Sequence, residues 1–169
     1  MSNFPFCWPV LGFHRQVGPY ARPGVEDVVG FDGEEAFSRC DSWSLKHRAR
    51  QGMLLVDAAG QSWSVKDIRK LGVTGPLWSR ILGFLFRQLE YRVEYDLVEE
   101  GPMPLERVKG RVLKAIDAAP DLWRDDEAIA GEDGPPKDER EMIQDLKERV
   151  QRAQDLIELM DGLGPIDPY

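Results

Sequence analysis

The stretch Leu89-Glu-Tyr-Arg-Val-Glu-Tyr-Asp-Leu97 decides the fold class, because its apolar and charged residues alternate without a break. Successive side chains of a strand point to opposite faces, so Leu89, Tyr91, Val93, Tyr95 and Leu97 share one face while Glu90, Arg92, Glu94 and Asp96 share the other. A strand buried on one face and wet on the other belongs to an antiparallel sheet with a core on one side. Upstream, Met53-Leu-Leu-Val-Asp57 and Gln61-Ser-Trp-Ser-Val65 are two strand-like runs joined by Ala58-Ala-Gly60, which predicts a β-hairpin. A short strand is also expected near Val10 to His14, within a Pro- and Gly-rich opening of extended segments and turns that reaches residue 31.

Helical signals separate these runs. Asp32 followed by Glu35 has the form of a capping box, and Phe37, Cys40, Trp43 or Ser44, and His47 then recur at helical spacing, so one helix or two short ones should fill 33–51. Ser64 and Asp67 predict a short helix carrying Val65, Ile68 and Leu71 and closed by Gly72. Pro76 opens an apolar segment, 76–88, read as a buried helix. Leu105, Val108, Val112, Leu113 and Ile116 stripe another helix that ends before Pro120. Beyond an acidic connector over 120–136, Ile143, Leu146, Val150, Ala153, Ile157 and Met160 form the seam of a long amphipathic helix over 137–161.

The expectation is a single α+β domain: a small, mainly antiparallel sheet packed with helices, with a body over 1–119 and the long C-terminal helix packed on it. A chain of 169 residues can bury a substantial core, and 42% hydrophobic residues with five Trp and seven Phe supply one. The seam predicts a monomer; the alternative is a structural or assembly protein that self-associates, as a homodimer, through the C-terminal heptads. No segment reads as a membrane span or a signal peptide, so a cytoplasmic protein is expected.

Charge is uneven. Residues 120–169 hold 6 Lys/Arg against 15 Asp/Glu, a net −9 in a chain whose total is −8. Such a balance repels phosphate backbones and argues against nucleic acid, while it suits a basic protein partner. No phosphate-cradling glycine loop, zincin helix or serine elbow is present, so neither a catalytic residue nor a cofactor is assigned. Cys7 to His14 and Cys40 to His47 repeat a Cys-x6-His spacing, but six intervening residues are too many for a compact zinc knuckle, and no metal is expected. The same four residues are also the material for a Cys/His enzyme, a third reading that no local signature supports. For a binding surface, Trp123 with Leu122 is the candidate apolar anchor among the carboxylates of Asp125, Asp126 and Glu127.

The run Gly52-Met-Leu-Leu-Val-Asp57-Ala-Ala-Gly60-Gln-Ser-Trp63-Ser-Val65, then a short capped helix, an alternating strand and an acidic finish, resembles small bacterial immunity-type proteins encoded beside secreted toxins. The resemblance spans the middle of the chain through about Leu113. It implies a cytoplasmic inhibitor that binds a cognate toxin, and it transfers no functional residue.

Overall fold

The computed structural model describes residues 4–19, 21–74, 89–123 and 138–164. In chain order its elements are β1 (Val10–Arg15), β2 (Glu26–Phe31), α1 (Glu34–Phe37), β3 (Arg39–Asp41), α2 (Ser42–His47), β4 (Leu54–Asp57), β5 (Gln61–Val73), β6 (Glu90–Pro102), α3 (Leu105–Ala118), a 3₁₀ turn (Pro120–Leu122), α4 (Glu139–Arg152) and α5 (Leu156–Leu163). The strands form one curled antiparallel sheet in the order β2-β1-β4-β5-β6-β3, so the α+β class holds.

The alternation of 89–97 appears as drawn: Val93 and Tyr95 are buried, and Glu94 and Asp96 are exposed. The hairpin is also present, with Leu54 opposite Ser64 and Val56 opposite Ser62. Its turn is organised by the buried carboxylate of Asp57, which accepts from the amides of Ala59 (3.1 Å) and Gln61 (2.8 Å). The second carboxylate oxygen accepts from the Cys7 amide at 2.8 Å and ties down the N-terminal segment.

Helices cover one face of the sheet. Leu11, Phe13, Val28 and Val56 meet Val108, Val112 and Ile116 of α3, with Leu146 and Val150 of α4 and Leu159 of α5 in the same core. Ion pairs pin the helices around it: Arg111 of α3 pairs with Glu26 on β2, and Lys147 of α4 with Asp117 on α3. The opposite, concave face closes around Phe37, which is fully buried and packs against the rings of Phe4, Phe6, Phe31 and Tyr95. Glycine is required at position 12 on this face, because a Cβ there would lie 2.8 Å from Met53 Sδ and 2.9 Å from Val29 Cγ2.

Four expectations are corrected. The short helix over 64–71 does not form: those residues continue β5 to Val73, paired along almost its whole length with β6. Register shifts at Lys66 and Leu71 break the period of two, which leaves Val65, Ile68 and Leu71 three apart and imitates a helix. Within 33–51 the two short helices are separated by β3, a strand the helical spacing concealed. A second strand, at 26–31, lies in the stretch read as extended segments and turns around one short strand.

The single long C-terminal helix is two helices. Ala153 adopts φ −54° and ψ 134°, and Asp155 starts a new helix by accepting from the Glu158 amide at 2.8 Å. The break re-phases the seam: Leu146, Val150, Ala153 and Met160 are buried as expected, but Ile157 is 48% exposed and Leu156 and Leu159 take its place. The helix expected over 76–88 lies outside the described residues. Among the described residues no helix is long and apolar enough to cross a membrane.

Candidate functional site

β3 is three residues long and β6 is thirteen, and this mismatch creates the site. β3 pairs with β6 only from Asp41 opposite Glu90 to Arg39 opposite Arg92, and one further bond runs from the Val93 amide to Ser38 O at 2.8 Å. The chain then leaves the sheet as α1. An open groove of about 780 Å³ occupies the space that a longer β3 would fill. Its floor is aromatic, from Phe4, Trp63 and Tyr95, and among the described residues its walls carry Glu34, Glu94 and Glu99 with Arg92, while Glu94 also pairs with Arg69 at 4.0 Å.

The floor is rigid for a physical reason. Arg50 is 3% exposed and its Nη1 donates to Phe37 O (3.1 Å), Arg39 O (2.8 Å) and Tyr95 Oη (2.6 Å), while its guanidinium lies over the Phe31 ring at 5.1 Å. Tyr95 Oη donates in turn to Phe37 O at 2.9 Å. One cation thus fastens the segment between α1 and β3 to β6, and charge-assisted bonds of this kind are stronger than neutral ones. Burial pushes the Tyr95 hydroxyl up to about 12, against the lowering effect of Arg50, so it remains a neutral donor.

The sequence candidates distribute differently. Leu122 is 53% exposed on the 3₁₀ turn, whereas Trp123 beside it is half-buried and packs against the helical core. Asp125, Asp126 and Glu127 lie outside the described residues. Neighbouring Asp121 is engaged by Arg22 in a two-pronged pair, at 2.7 and 2.6 Å. Cys7, His14, Cys40 and His47 do not come together: Cys7 is exposed, the His47 ring packs at a tilt against Trp43 with centroids 4.6 Å apart, and among the described residues no three His, Cys, Asp or Glu side chains form a metal-sized group. Cys40 is buried on the concave side, where burial raises its thiol to about 11 despite Arg50, so it is held as a thiol rather than a thiolate.

His14 is buried and its titration is shifted. Burial lowers its pKa below 6.5 and Arg50 adds to this, while the backbone bond to Arg15 and the carboxylates of Asp27 and Glu26 oppose it. A lowered folded-state pKa means that the unfolded chain binds the proton more readily, so stability is complete above about 6.5 and is lost as pH falls through the folded value. Denaturant melts from pH 7 down to 5 should therefore show a decline that His14→Gln flattens. Equal slopes in parent and variant would mean that His14 takes up its proton as readily in the fold as in the unfolded chain.

The sequence contained the floor but hid the groove. Tyr95 was visible as a residue of the apolar face and Trp63 as a residue of the hairpin, whereas the early end of β3 was masked by helical spacing over 33–51. Comparison of the chain with family models, with curated proteins and with solved structures finds no match.

Proposed function

We propose that this chain is a non-catalytic binding protein that takes hold of a basic protein partner, in the manner of an immunity-type inhibitor acting on a cognate basic toxin in the cytoplasm. The observation that carries the reading is the groove: an aromatic floor bordered, among the described residues, by Glu34, Glu94 and Glu99, with Arg92 in its lining and Arg69 beside Glu94 as the opposing charges. Aromatic floors supply the apolar anchoring that dominates interface energetics, and surrounding carboxylates steer a cation toward it. The net −9 of the last fifty residues extends the attraction over the wider surface. Leu122, exposed on its turn, and Trp123, half-buried against the helical core, precede Asp125, Asp126 and Glu127 in sequence and remain the second candidate contact for such a partner.

Association kinetics with the partner captured from the native host test this. At about 0.1 M salt the Debye length is roughly 10 Å and at 1 M roughly 3 Å, so the on-rate should fall about tenfold or more between them. Reversing Glu34, Glu94 and Glu99 together to Lys should slow association at low salt more than reversing Asp125, Asp126 and Glu127. An acidic partner, or an on-rate indifferent to salt and to both triple reversals, would sink the proposal.

A further inference from the structure

The edge of β6 beyond β3 is a strand-docking site, and we infer that its occupant is an extended partner segment in which Lys or Arg alternates with apolar residues. This rests on the binding reading above and says how the segment is held. In an antiparallel ladder, alternate residues aim both main-chain groups at the same edge. The Val93 amide faces β3, since it donates to Ser38 O, so the amides and carbonyls of Tyr95 and Leu97 face the same way. The register shifts at Lys66 and Leu71 fall on β5, so β6 itself keeps its alternation from Val93 to Glu99. Among the described residues no strand pairs with that edge past Val93. Unpaired edges of this length are templates for another strand, and sheet proteins ordinarily cover or shorten them.

The side chains define the occupant. Cross-strand neighbours share a face, so a docked strand would set alternate residues over the aromatic floor beside Tyr95 and Leu97, and the others on the wet face beside Asp96 and Glu94, the latter at the groove's rim and 4.0 Å from Arg69. The first set meets an aromatic floor and the second meets carboxylates. β6 carries Glu90, Glu94, Asp96, Glu99 and Glu100 against Arg92 alone. Those charges oppose pairing with a second copy of β6, which would place like charges opposite each other, and favour a basic strand. The groove supplies the pockets and the edge supplies the main-chain bonds, the division of labour found when peptides add to sheets.

Residue-resolved amide exchange of the full chain tests this, with a short synthetic peptide alternating lysine and valine as the probe. Two comparison peptides are needed: a glutamate-valine analogue, and the lysine peptide N-methylated on the amides of one edge or the other. The lysine peptide should slow exchange at Tyr95 and Leu97 about tenfold at saturation, and methylation of the edge facing β6, but not of the other edge, should weaken binding by roughly tenfold. Binding that leaves those amides unchanged would overturn strand docking and leave the basic-partner reading standing. Equal binding and protection by the glutamate peptide would overturn the basic occupant and that reading with it. No binding by either peptide at millimolar concentration would overturn the inference.

Discussion

Phe37→Ala should lower stability by about 3–5 kcal/mol, the range for removing a fully buried Phe from a core that cannot collapse around the void. Phe37 is 0% exposed and its ring stands at the centre of the concave face, 5.0 Å from Phe4 and Phe31, 5.3 Å from Phe6 and 4.2 Å from Tyr95, centroid to centroid. Its own carbonyl is also the acceptor for Arg50 and Tyr95, so slack at this position loosens the polar staple as well as the packing. At roughly 2–4 °C per kcal/mol for a chain of this size, the melting temperature should drop by about 6–20 °C. Phe37→Leu, which keeps most of the volume, should cost about 1.5 kcal/mol or less. A loss under about 1 kcal/mol for the alanine variant would mean that the concave face does not close on this ring.

The parts of the fold that could be read in the sequence are those where local pattern and tertiary environment agree. Val93 and Tyr95 are buried because the strand is half-wet, and strict alternation records that arrangement directly. α3 was equally plain, since Val108, Val112 and Ile116 lie on one face and all three are buried. Misreadings arose where one spacing has two meanings. Ser64-Val-Lys-Asp67 offers a capping box, yet the adjacent long strand β6 gives those residues a ladder to join, and pairing outweighed a cap worth about 1 kcal/mol. At the C-terminus the seam was real, but Asp155-Leu-Ile-Glu158 is itself a helix-start signature, and it took effect inside the heptad pattern. Glu158 completes it by accepting from the Gln154 amide at 2.7 Å.

The binding surface was less legible than the fold because it is made by an absence of pairing. A groove beside β6 depends on where β3 stops, and β3 stops because Ser38 leaves α1 only three residues before Asp41 caps α2. Asp41 accepts from the Trp43 amide (2.7 Å) and the Ser44 amide (2.9 Å), which commits the chain to a helix at once. Acidic composition pointed toward a cationic partner, but charge density alone drew attention to Leu122, Trp123 and the carboxylates after them. The aromatic floor lies elsewhere, beside Glu34, Glu94 and Glu99, of which the sequence reading placed only Glu94, on the wet face of a strand.

The surface exists only if the outer edge of β6 is open past Val93, and native-state amide exchange of the free chain reads that edge residue by residue. Val93 donates to Ser38, and the amides of Glu94, Asp96 and Val98 face β5, so these four should exchange through large-scale opening. For an ordinary stability of at least about 5 kcal/mol, that is a slowing of roughly a thousandfold or more. Tyr95 and Leu97, between them in sequence, should exchange far faster, giving an alternation along a single strand. Uniform strong protection from Val93 to Val98 would contradict the open edge and remove the basis for both the groove and its partner.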